Sequence, residues 1–90
     1  MNDKKAIRIL IADDHLMVRK GLSALITGVS GFMLVGEAED GRQAIVMCRD
    51  LCPDVVLMDI VMPNVNGIEA IRSIHAENPS VNIIALTSFP

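Results

Sequence analysis

Ninety residues carrying a formal charge of −3, two phenylalanines and neither tryptophan nor tyrosine make one small domain with an aliphatic core. The apolar fraction of 51% suffices for that core, and the scattered basic residues exclude the basic stripe of a direct nucleic-acid binder. No apolar run reaches the ~18 residues of a membrane span, and Arg8 interrupts the first apolar stretch before it reads as a signal sequence, so the expected setting is the cytoplasm, with no membrane partner.

Ile7-Arg8-Ile9-Leu10-Ile11-Ala12 reads as a strand that runs into Asp13-Asp14-His15. A helix over residues 16–26 follows, with Val18, Leu22 and Leu25 and, just beyond it, Val29 at steps of four, three and four, the spacing of one helical face. Asp14 stands where an N-cap belongs, and Gly21 inside the helix points to close packing there. Gly28 to Gly31 closes the helix, and Phe32-Met33-Leu34-Val35-Gly36-Glu37-Ala38 forms a second, less uniformly apolar strand nearer a sheet edge.

Glu39-Asp40-Gly41 turns the chain into a second helix with Ala44, Cys48 and Leu51 inward, ended by Pro53. Cys48 and Cys52 lie four apart, with no further Cys or nearby His to complete a zinc set, so both read as small buried thiols. Val55-Val56-Leu57-Met58 is a short continuous apolar run, the mark of a strand buried on both faces of a parallel sheet, and it delivers Asp59 at its tip. Pro63 and Gly67 bracket a loop. Residues 67–78 form a third helix with Ile68, Ile71 and Ile74 inward, and residues 81–87 a fourth strand carrying Thr87 at its end.

Strand and helix alternate throughout, which predicts an α/β doubly wound parallel sheet with helices on both faces. In the flavodoxin-like strand order 2-1-3-4, the first and third strands are neighbours at the switch point and Asp13, Asp14 and Asp59 meet above the sheet. Three carboxylates in one cleft repel one another, and Mg²⁺, a hard cation that takes carboxylate oxygens and waters, resolves that repulsion. An aspartate in such a site can attack phosphorus and form an acyl phosphate. Asp59, held by the most buried strand, is the candidate nucleophile, and Thr87 can donate to a phosphoryl oxygen. Taken singly, Asp13 and Asp14 also read as a strand end and a helix cap. His15 follows the acids directly and is a candidate fourth ligand, but Mg²⁺ prefers oxygen, so it reads as a solvent-facing or capping residue.

The chain resembles the receiver domain of two-component response regulators. Asp13-Asp14-His15, Arg19 and Gly21-Leu22 are similar to the subfamily whose receivers precede a LuxR/NarL-type helix-turn-helix DNA-binding domain. Asp59-Ile60-Val61-Met62-Pro63-Asn64-Val65-Asn66-Gly67 resembles the phosphoacceptor loop, and Leu86-Thr87-Ser88 the switch-hydroxyl strand. The resemblance implies that a sensor histidine kinase phosphorylates Asp59 and that Thr87 is the switch hydroxyl. It also implies Mg²⁺ on Asp13, Asp14 and Asp59 with the Val61 backbone carbonyl, Asp14 binding more directly than Asp13. Such a domain is no enzyme toward outside substrates; it catalyses only its own phosphorylation and dephosphorylation.

Receivers of this family continue into a fifth strand ending in a lysine that pairs with the phosphoryl group, whereas the lysines here are Lys4, Lys5 and Lys20. Residues 1–90 are therefore expected to be a receiver domain lacking its fifth strand and last helices, with the DNA-binding output domain absent. An open apolar edge at the fourth strand predicts self-association. Two rivals stand beside this reading. A Mg²⁺-dependent haloacid-dehalogenase-like phosphohydrolase also uses a strand-end Asp, but as Asp-x-Asp rather than adjacent acids. The other is a phosphorylation-independent interaction module.

Overall fold

The computed structural model describes residues 5–62 and 64–86. Four strands, β1 (Ile7–Ala12), β2 (Phe32–Ala38), β3 (Val55–Asp59) and β4 (Asn82–Leu86), alternate with three helices, α1 (Leu16–Thr27), α2 (Gly41–Leu51) and α3 (Gly67–Glu77). All strand pairs are parallel and the order is β2-β1-β3-β4, the doubly wound arrangement expected from the alternation. β1 and β3 are therefore neighbours, and their carboxyl ends lie side by side.

The period-2 alternation of β1 feeds two cores. Leu10 and Ala12 point to the face covered by α2 and α3, where Val56, Met58, Ala44, Cys48, Ala70 and Ile74 complete the larger cluster. Ile9 and Ile11 point to the other face and pack with Ile26 of α1. Leu10, Ile11, Val56, Met58 and Ile74 are fully enclosed, each contributing about 1.5–3 kcal/mol by burial. β2 sits at an edge, as its mixed composition suggests, and its register against β1 slips at Val35: Ile9 faces Leu34 but Leu10 faces Gly36.

Helix ends follow local chemistry. Asp40 caps α2 by accepting from the Gln43 N–H, and Asn66 caps α3 by accepting from the Glu69 N–H. α1 departs from expectation at its start: its N-cap is His15, not Asp14, and no side chain caps it. The buried stripe of α1 is also one residue round from the predicted one. Arg19 and Ile26 are buried and Leu22 half-buried, while Val18, Leu25 and Val29 are exposed. In α3, Ala70 and Ile74 point inward and Ile68 is 50% exposed. Cys48 is buried but Cys52, the left-handed C-cap of α2, is exposed; burial pushes the Cys48 thiol up to about 11.

Gly21 is not closely packed either. A methyl group added there would meet nothing within 4 Å. Gly21→Ala is therefore expected to raise stability by about 0.5–1 kcal/mol, through helix propensity and a less disordered unfolded chain. Thermal melts of the two proteins check the sign.

Candidate functional site

The site begins where β1 and β3 stop. β1 ends against Asp13, whose N–H donates to the Ala38 carbonyl of β2 (3.0 Å), and β3 ends in Asp59 itself. Asp13 is 4% and Asp59 3% exposed, whereas Asp14 is exposed. The Asp13 carboxylate accepts the His15 backbone N–H at 2.8 Å, closing a tight local turn. The Asp59 carboxylate accepts the Val61 N–H at 3.2 Å. Two glycines let the neighbouring elements approach. An added Cβ on Gly67 would overlap the Asp59 carbonyl, and one on Gly41 the Val65 carbonyl.

Asp13, Asp14, His15 and Asp59 each offer one donor atom, and all four lie within 4.8 Å of one another. The two adjacent acids and the single acid, predicted from separate strands, are thus in one cleft. Thr87 lies outside the described residues. His15 faces solvent and occupies the N-cap position of α1, as expected, and it also joins the acids as a potential fourth donor. Its Nδ1 lies 2.8 Å from Asp13 Oδ1, 3.2 Å from Asp14 Oδ1 and 3.8 Å from Asp59 Oδ2, while its side chain is 59% exposed. The ring is both solvent-facing and the local counter-charge of the acids.

The electrostatics follow from this crowding. Burial raises the Asp59 pKa, and the charges of Asp13 and Asp14 raise it further, against the Val61 N–H and the His15 ring, which lower it. His15 is raised in turn, first by its hydrogen bond to Asp13 and then by the charge of Asp14. A cation in the folded state is favoured over neutral imidazole, so the stability His15 contributes is complete below its ordinary pKa of 6.5. That stability fades as pH rises through the higher folded value. Metal-free protein should lose stability across this window, and His15→Ala should flatten the dependence. Melts at a series of pH values from below 6.5 upward measure both.

The donor set also fits a divalent cation. The carboxylate oxygens already lie within 4.8 Å of one another, and such hard oxygen donors are the kind a divalent cation such as Mg²⁺ would take. Two of the acids are buried, and among the described residues His15 is the cationic side chain that faces them. Such crowding of carboxylates would favour a bound divalent cation.

A parallel α/β sheet with buried acids at its switch point defines a class: open doubly wound domains whose site lies at the carboxyl ends of their strands. Residues 9–90 match the response regulator receiver domain family, and the chain belongs to it. It is similar to the transcriptional regulatory protein LiaR of Bacillus subtilis, 46% identical over 83 residues, which are 92% of this chain and 39% of that protein. A two-component response regulator of the LuxR family from Aurantimonas has the same fold with a TM-score of 0.88 at 36% identity, over 96% of this chain and 61% of the other. So has CheY in a complex with CheX, BeF₃ and Mg²⁺ from Borrelia burgdorferi, with a TM-score of 0.88 at 26% identity over 94% and 64%. The chain spans about two fifths of the length of the curated relatives it matches. No helix among the described residues is long and apolar enough to cross a membrane.

Proposed function

We propose that this chain is the phosphoacceptor receiver of a response regulator that acts in the cytoplasm. A sensor histidine kinase supplies the phosphoryl group and Asp59 receives it. One Asp59 oxygen forms the new bond to phosphorus as the bond to the donor breaks, giving an acyl phosphate. Asp13, Asp14, Asp59 and the Val61 backbone carbonyl would hold Mg²⁺, which neutralises charge on the phosphoryl oxygens. Thr87 is proposed as the hydroxyl that senses the phosphoryl group, and a DNA-binding output domain as the element it controls. The domain has no outside substrate. The observation that carries the reading is Asp59, buried at 3% at the tip of a central strand and facing two further carboxylates.

The exposed Ile84 of β4 at the sheet edge, with Met17 and Leu25 exposed on α1, supports self-association as well. Sedimentation at low micromolar concentration tests that part; a monomer throughout removes it. For the central reading, the protein is incubated with a small acyl-phosphate donor, with Mg²⁺ or with excess chelator. One phosphoryl group per chain, on the peptide containing Asp59 and only with the metal, is the expected result. Multiple turnover of a generic phosphate ester without stable label would overturn it.

A further inference from the structure

Three charged side chains are buried among the described residues: Asp13, Asp59 and Arg19. The two acids belong to the site above; Arg19, 8% exposed in the first turns of α1, has no part in it so far. Its guanidinium does not reach a carboxylate of the cluster. Nη1 donates to the Asp13 backbone carbonyl at 2.7 Å, and Nε lies 3.4 Å from Glu37 Oε1 on β2. Burying a guanidinium costs several kcal/mol unless it is paired and hydrogen-bonded, so these partners fix where it stands.

The Asp13 carbonyl has a particular place in the chain. It belongs to the peptide unit that joins Asp13 to Asp14, and a peptide unit is rigid and planar. Holding its oxygen sets ψ of Asp13 and φ of Asp14 together, and hence the directions in which both side chains leave the backbone. The N–H of Asp13 is already tied to Ala38 and its carboxylate to the His15 N–H. Arg19 supplies the remaining restraint, on the one group that orients both acids. Its planar fork suits this better than a lysine would, because one nitrogen can grip the carbonyl while another faces Glu37.

We propose that Arg19 is a positioning residue for the cation site: it fixes the Asp13–Asp14 peptide so that both carboxylates face Asp59, and Glu37 fixes Arg19. This rests on the Mg²⁺ reading of the cluster given above. Charge alone predicts the opposite effect of removing it, since deleting a cation beside an anionic site should tighten Mg²⁺ binding. Positioning predicts that Arg19→Met weakens it, by about 10-fold, the usual cost of losing a partner that orients a ligand. Arg19→Lys keeps the charge and loses the fork, so charge predicts no change and positioning predicts weaker binding. Because Glu37 acts through Arg19, Glu37→Gln should weaken binding in wild type but add nothing to Arg19→Met.

Isothermal titration of each folded protein with MgCl₂ alone measures these affinities, and thermal melts report stability separately. Weaker binding by Arg19→Lys and Arg19→Met, with a non-additive double variant, is the expected outcome. Should Arg19→Met fail to fold, Arg19→Lys and Glu37→Gln decide the matter. Wild-type affinity in folded Arg19→Lys, whatever its melting temperature, or tighter binding in Arg19→Met overturns the inference alone. An absence of Mg²⁺ binding by wild type overturns the cation reading and this inference together.

Discussion

Asp59→Asn is expected to abolish phosphoryl uptake from a small acyl-phosphate donor, with no label above background, and to make the metal-free protein more stable at neutral pH. The two effects share a cause. The amide has no anionic oxygen to attack phosphorus, which removes the nucleophile outright. It also removes a charge that the folded state holds at a cost. Asp59 has a raised pKa because it is buried and faces Asp13 and Asp14, so its ionised form is disfavoured relative to the unfolded chain. As pH falls through the raised folded value toward the ordinary 3.8, wild type takes up that proton on folding and gains stability. The melting gap between the two proteins should therefore be widest at neutral pH and close in acid. Melts across that range, paired with labelling assays at neutral pH, check both halves. Equal labelling of the variant would show that another residue accepts the phosphoryl group. Lower stability of a folded, unlabelled variant at every pH would show that Asp59 is not held at an electrostatic cost.

The strand order and the meeting of three acids were legible because they rest on strong signals. Continuous apolar runs mark buried strands, and the alternation of strand and helix fixes a parallel sheet. Once β1 and β3 are neighbours, Asp13, Asp14 and Asp59 have nowhere else to go. What was misread lies on the helices. On α1 the series Val18, Leu22, Leu25, Val29 competes with Arg19, Leu22, Ile26, and an apolar count prefers the first because one inward position is an arginine. The structure buries that arginine because it has a carbonyl and a carboxylate to bind, which periodicity cannot register.

On α3 the inward position is Ala70, which scores below Ile68 in any hydrophobic tally yet fits against the sheet where Ile68 does not. The cap of α1 failed for a related reason. The Asp13 carboxylate takes the backbone N–H that defines the turn, so the helix starts one residue later than Asp14 would allow. His15 is a candidate donor from its place beside two acids, but its approach to Asp59 depends on the neighbouring strand and is visible only in three dimensions.

The loop between Asp59 and α3 is where sequence and site are most tightly joined, and Gly67→Ala is expected to show it. Gly67 is the first residue of α3, and its N–H donates to the Ile60 carbonyl at 2.9 Å. A Cβ there would overlap the Asp59 carbonyl and crowd Ile60 Cα and its carbonyl oxygen. These are main-chain atoms, two of them on the residue that also donates to the Leu86 carbonyl of β4, so no side chain can swing aside to make room. The backbone must move instead. Overpacking of this kind costs about 1–3 kcal/mol, and the upper part of that range applies when the obstruction is rigid. For a domain of this size each kcal/mol is roughly 4–8 °C in melting temperature, so a drop of about 10–20 °C is expected. Gly21→Ala, the same substitution where nothing stands within 4 Å, should move the melt the other way. Because the displaced segment carries Asp59, Mg²⁺ affinity of the folded fraction should fall in Gly67→Ala and stay unchanged in Gly21→Ala. Melts and Mg²⁺ titrations of the pair test the argument. If Gly67→Ala melts within a degree or two of wild type, α3 does not press on the end of β3 as described, and the close approach of the helix to the segment after Asp59 would have to be abandoned.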